Sequence, residues 1–289
     1  MSAPRTWTLL LCFFVISSTA TAQMIGPTAA STAAPSVPAA ASDGMPIVQK
    51  ALAAINQGRP ITDITLTGTA RRIAGSTDET GTVVLKARAS GEARIELNLP
   101  SGPQTQVYAN SDKGPIGAWS GSDGVLKPIP LYNVLVDPAW FSPPLLLSRI
   151  ASANNAQLGA GAKGSGGAPT DHVLASKHFP SAPPQIASLM ERHSQMDLLF
   201  DPSTSLLSAV SFKAHPDIDA TRDIPVDVRF SDYRAVDGTQ TPFRIQQFLN
   251  GGLVLDIQVE TVNLNSGLPA DSFHVPEVPA FTPVLQHRQ

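Results

Sequence analysis

Cysteine is all but missing: Cys12 is the single one in 289 residues, so the chain can form no internal disulfide. A dense basic patch is missing too. Twenty Lys and Arg stand against 23 Asp and Glu, a formal net charge of −3. A phosphate-binding face needs clustered positive charge, so nucleic acid is not expected as a partner. After the first two dozen residues no run of 18 apolar residues occurs, and no transmembrane segment is expected.

Catalytic patterns are also wanting. Gly117-Ala118-Trp119-Ser120-Gly121 has the wrong spacing for a nucleophile elbow and is followed by another turn. In the glycine-rich stretch 159–167, Lys163 precedes Gly164 and no helix follows, so it does not read as a phosphate loop. His172 and His178 do not form a close pair. His215-Pro216-Asp217-Ile218-Asp219 carries ligand types at alternate positions, but it reads as a polar turn unless a further ligand comes from elsewhere. Asp197, Asp227 and Asp256 are carboxylates of the kind any β protein has, with nothing to single out an acid/base pair. The sequence implies no catalytic residue, metal or cofactor.

What is present begins with an export signal. Arg5 supplies the positive start, Leu9 to Ile16 are eight unbroken apolar residues, and Ala20-Thr21-Ala22 fits a cleavage site before Gln23. Eight residues are too few to span a bilayer, which needs about 20. Cys12 lies inside the apolar run rather than after it, so no lipid anchor is expected. Cleavage would leave 267 residues and a charge of −4, soluble in the periplasm or outside the cell. Residues 23–44, rich in Ala, Pro, Ser and Thr, cannot bury enough apolar surface to order themselves and read as a disordered spacer. A single domain is expected over 45–278, with a loose tail over 279–289.

Val48, Ala51, Leu52 and Ile55 recur at helical spacing; Asp43 or Gly44 suits the cap, Pro46 the first turn and Gly58 the end. From residue 61 the period becomes two. Ile64, Leu66, Gly68 and Ala70 alternate with threonines, and strands follow over 82–89, 92–99, 104–110 and 114–120. The apolar stretch 131–150, broken by Pro138, Pro143 and Pro144, predicts two short helices, the second capped by Ser142 and opened by its prolines. Strands return over 172–179, 195–200, 206–214, 226–236, 241–249 and 253–264, with Asp237-Gly238 and Asn250-Gly251 as hairpin turns. The fold class is therefore mainly β with a few helices. About eleven antiparallel strands do not lie flat; they curl into a sandwich, a barrel or an open half-barrel, a curved sheet whose apolar side the helices must cover.

Leu253, Leu255, Ile257 and Val259 share one strand face, as do Phe243, Ile245, Gln247 and Leu249, and Val226, Val228 and Phe230. If the helices cover this apolar side fully it is a core. If they cover it partly it is a cavity for an apolar ligand. Candidate cavity or lid residues are Trp119, Trp140, Phe141, Leu145, Phe230, Phe243, Ile245, Leu255 and Ile257.

The order of elements, and the run Phe230-Ser-Asp-Tyr233, Asp237-Gly238, Pro242-Phe243-Arg244-Ile245, Asn250-Gly251, then Leu268 to Phe273 and Pro276, resembles the periplasmic lipoprotein-carrier superfamily (LolA/LolB-like). The resemblance runs through most of 45–278. It implies an open β-barrel with a helical lid that holds a lipid or a lipoprotein acyl chain without catalysis. It also implies an arginine inside the barrel, for which Arg72 and Arg94 are both candidates; the glycine-rich insertion departs from the family. Two other functions remain open from the residues: an envelope structural or interaction module that binds another envelope protein, and a hydrolase assembled from distant residues.

Overall fold

A computed structural model describes residues 43–112, 114–160 and 171–275. The expected signal peptide, nearly all of the expected spacer, most of the glycine-rich stretch and the expected C-terminal tail lie outside the described residues.

The chain opens with helix α1 (Met45–Asn56), started by Pro46 and ended by Gln57 in a left-handed conformation. Asp43 Oδ1 accepts a hydrogen bond from the Met45 amide at 2.9 Å. Val48, Ala51 and Ile55 are fully buried, the face that the periodicity marked. Strands β1 (Asp63–Ala74), β2 (Thr77–Arg88), β3 (Ala93–Leu99), β4 (Gly102–Ser111), β5 (Gly114–Ser120) and β6 (Leu126–Pro128) then form a meander. Helices α2 (Leu131–Val134) and α3 (Pro143–Ser152) follow. The strands resume as β7 (Ala156–Ala160) and β8 (Asp171–Lys177), pause at helix α4 (Pro184–His193), and run on through β9 (Met196–Phe200), β10 (Leu207–Ala214), β11 (Ile224–Val236), β12 (Thr239–Leu249) and β13 (Gly252–Leu264).

All thirteen strands belong to one antiparallel sheet in the order β6-β5-β4-β3-β2-β1-β13-β12-β11-β10-β9-β8-β7. The first meander runs outward from β1 to one edge, and the second returns from the other edge to β13. The two join where β1 pairs β13, with Ile64 opposite Leu264. The segment carrying α2 and α3 leaves one edge strand, β6, and re-enters at the opposite edge as β7. The lid therefore crosses the open side of the sheet from edge to edge. The sheet does not close on itself, as expected for a half-barrel.

Curvature needs close backbone approach at two points. A Cβ on Gly68 would lie 2.0 Å from the Gln258 carbonyl oxygen, and one on Gly81 would lie 1.9 Å from that of Asn98. Gly68 sits at a bulge in the β1–β13 pairing, and bulges bend a strand and increase its twist. The hairpin turns follow the sequence reading: Asp237-Gly238 and Asn250-Gly251 have positive φ at both residues, as a type I′ turn requires.

Four expectations are corrected. Among the described residues there are thirteen strands rather than about eleven, because β6 and β7 are short edge strands without a clear apolar alternation. Helix α4 was not anticipated; its Ile186 and Leu189 are about half exposed, so they mark no buried stripe. Ser142 does occupy the position before α3, but its hydroxyl makes no cap bond. Of the two amides such a side chain normally caps, one belongs to Pro144 and has no N–H. Finally, a register shift between Gln247 and Phe248 places Phe248 opposite Leu253 and Gln247 opposite Leu255. Val254, not Leu253, then packs against the core.

Alternate residues of the strands point inward and join α1 and α3 in a main core. Phe141, Leu145, Leu146 and Leu147 of the lid are completely buried in it, together with Leu85, Leu198, Val228 and Ile257. Among the described residues no helix is long and apolar enough to cross a membrane.

Candidate functional site

The lid does not fill the half-barrel evenly. Where α2 turns into the segment before α3, a cleft remains open between the lid and the concave face. Val136, Pro138 and Trp140 wall it from the lid. Ile95, Tyr108 and Trp119 wall it from the first meander, and Phe212, Val226, Leu249 and Leu255 from the second. With its mouth counted the cleft spans about 920 Å³, but the centre of a water molecule can occupy only about 90 Å³ of it. That holds several waters. A longer ligand needs the lid to shift.

Of the nine residues singled out from the sequence, Trp119, Trp140 and Leu255 line this cleft. Phe141, Leu145, Ile245 and Ile257 lie in the packed core, at most 1% exposed. Phe230 and Phe243 are buried in the same core, and the Arg234 guanidinium stacks 4.3 Å above the Phe243 ring. Trp140 meets Phe141 edge-on, with ring centres 5.7 Å apart, and so connects the cleft wall to the core. Arg72 and Arg94 separate clearly. Arg72 shares the inner face with Leu66 and Ala70 and is 5% exposed, with Glu79 at 3.9 Å. Arg94 lies between inward-facing Ala93 and Ile95 and pairs outside with Glu96 at 2.8 Å.

Polar groups reach the cleft at a few points. Gln247 is 7% exposed and its Oε1 has no hydrogen-bond partner among the described residues. An orphaned acceptor in an apolar wall is costly, and it offers a ligand one point of orientation. At the mouth, Lys127 Nζ lies 4.4 Å over the Trp119 ring. Burial pushes the Asp217 carboxyl up from its ordinary value, against the pull of Lys127 and the Trp119 indole.

The mouth is closed on one side by a clip that the sequence did not reveal. Asn133 of α2 binds the His215 backbone through both atoms of its carboxamide, and Tyr132 Oη donates to the Pro216 carbonyl at 2.7 Å. Behind it the His193 and His215 rings meet at right angles, 4.4 Å between centres. His215 Nε2 lies 3.2 Å from Asp223, while both His193 nitrogens are buried without a partner among the described residues. Burial holds both imidazoles below their ordinary value. Asp223 is brought down to about 2, chiefly by the Lys213 ammonium. His215, Asp217 and Asp219 turn to different partners: Asp223, the Trp119 indole and the Thr221 hydroxyl.

No protein-family model matches the sequence, and no curated protein matches it. Solved structures do align. A DUF1329 family protein from Desulfovibrio piger is 11% identical and aligns over 80% of this chain and 95% of its own, with a TM-score of 0.48. A domain from Vibrio parahaemolyticus described as an outer membrane lipoprotein-sorting domain gives the same identity and coverage and a TM-score of 0.47. A LolA superfamily protein from Nitrosomonas europaea is 13% identical, over 81% of this chain and 99% of its own, with a TM-score of 0.45.

Proposed function

We propose that this protein holds an apolar ligand, a lipid or the acyl chain of a lipoprotein, between its lid and its half-barrel, without catalysis. The observation that carries the reading is the cleft: an apolar wall of Trp119, Trp140, Leu249 and Leu255 left open to solvent, beside the fully buried Phe141, Leu145, Leu146 and Leu147 of the lid. Binding sites of this kind are concave and mostly apolar, with a few polar groups to orient the occupant. Gln247, Asn133 and Asp217 occupy those positions here. The protein would act after export, with residues 1–22 removed, 23–44 as a spacer and 45–278 as the binding domain.

The test is extraction of the purified exported protein with organic solvent, followed by mass spectrometry. A defined lipid recovered in stoichiometric amount supports the reading. Lipid-free protein that also takes up no fatty acid or lysolipid would overturn it.

An envelope interaction module is the second reading. Exposed Leu131 on α2 and Ile186 and Leu189 on α4, two helices that touch, favour it. Recovery of one stoichiometric protein partner from envelope extract, with no lipid, would decide for that alternative.

A further inference from the structure

Beneath the lid, Asp137, Arg149 and Lys177 meet between the segment before α3, α3 itself and the end of β8. Both Asp137 oxygens are engaged: Oδ1 accepts from the Ala139 amide at 2.9 Å and Oδ2 from Arg149 Nε at 2.7 Å. Arg149 Nη1 donates to the Ala89 carbonyl at 3.0 Å, and Lys177 Nζ donates to the Leu135 carbonyl at 2.7 Å. The three groups carry one negative and two positive formal charges. Arg149 Nη2 and two of the Lys177 ammonium hydrogens have no hydrogen-bond partner among the described residues.

The excess charge lies in a sheltered place. The Asp137 side chain is 5% exposed and that of Arg149 19%. Burial pushes the Lys177 amine down from its ordinary value, with Asp137 opposing and Arg149 adding to the effect. A buried cation without an anion is strongly disfavoured.

Two recesses flank the pair, and Arg149 and Lys177 line both. They offer about 150 and 230 Å³. Tyr108 and Pro138 wall the larger recess and also wall the apolar cleft. The recess that holds the two cations and the apolar cleft are thus neighbours across one proline and one tyrosine.

We propose that Arg149 and Lys177 form a headgroup subsite for an anionic amphiphile, taking its carboxylate or phosphate while its chain enters the cleft. This rests on the apolar-ligand reading above. An anionic oxygen would accept charge-assisted bonds from Arg149 Nη2 and Lys177 Nζ. An uncharged headgroup would leave the excess positive charge uncompensated.

The test is calorimetric titration of the delipidated full exported protein at neutral pH with decanoate, decyl phosphate and decanol. Acetate and inorganic phosphate serve as chain-free controls. Decanoate and decyl phosphate are expected to bind about tenfold or more tightly than decanol. Lys177→Met should remove that advantage while decanol binding is kept, which also shows that the variant is folded. Lys177→Arg should restore it. Equal affinity for decanoate and decanol, or an anion preference unchanged in Lys177→Met, would overturn the subsite and leave the cleft reading standing. Acetate or phosphate binding as tightly as the amphiphiles would overturn it in favour of a free-anion site. Failure of all three chains to bind would overturn the subsite and the cleft reading together.

Discussion

Asn133 and His215 are joined twice: the Asn133 Nδ2 donates to the His215 carbonyl at 2.8 Å, and Asn133 Oδ1 accepts from the His215 amide at 3.0 Å. A side chain used as donor and acceptor to one residue mimics a strand pairing. It fixes the short helix α2, which with four residues has too few internal bonds to hold itself. Asn133→Ala removes both bonds and leaves a half-buried amide and carbonyl to be satisfied by water. The expected loss is about 1–3 kcal/mol of unfolding free energy, read from urea denaturation. Hydrogen exchange at residues 131–136 should accelerate more than in the strands. Equal protection in variant and parent would show that the clip does not hold the lid.

Gly68 should not tolerate a side chain. A Cβ there would meet the Gln258 carbonyl at 2.0 Å, and backbone cannot rotate away as a side chain can. Gly68→Ala is expected to cost about 1–3 kcal/mol or more, measured as a lowered thermal midpoint. Ala70→Gly, one pleat further along the same strand, forces no such clash and serves as the contrast.

Gln247 carries the opposite expectation. Its buried Oε1 lacks a partner among the described residues, and a thioether of similar length has no such need. Gln247→Met should leave the protein as stable as the parent or raise it by about 1 kcal/mol, while weakening any ligand oriented by the amide. Marked destabilisation would mean that the carboxamide serves the fold itself.

Stability should fall on mild acidification. His193 and His215 are held below their ordinary value chiefly by burial; around them Asp223 favours and Arg192 opposes protonation. Below about pH 6.5 the unfolded chain binds protons that the folded chain still refuses. Stability is therefore full above that pH and declines as pH drops toward the depressed folded-state values. The urea midpoint at pH 5.5 is expected below that at pH 7.5, and His193→Gln should flatten the difference. Asp223 acts much lower: its contribution is present above its unfolded value of 3.8 and vanishes only as pH falls through about 2.

Much of the fold was legible because its signals are local. The Asp237-Gly238 and Asn250-Gly251 turns, the two-residue alternation of β3 and β9, and the stripe of Val48, Ala51 and Ile55 each depend on neighbours a few residues away. Edge strands β6 and β7 and helix α4 were not legible, since none buries a full apolar face. The site divides in the same manner. Trp119, Trp140 and Leu255 could be singled out as large apolar residues on inward faces. Nothing in the sequence joined Asn133 to His215, 82 residues away, or Lys177 to Leu135, 42 residues away.

By itself the sequence determined the β-rich class, the order of most elements and an apolar inner face, because period and turn chemistry act over a few residues. Only the tertiary structure decided that the lid runs from one sheet edge to the other, leaves a cleft beside Trp140 and collects Arg149 and Lys177 beneath it. Those features depend on where a thirteen-strand sheet bends, and that follows from backbone contacts between β1 and β13, nearly 200 residues apart.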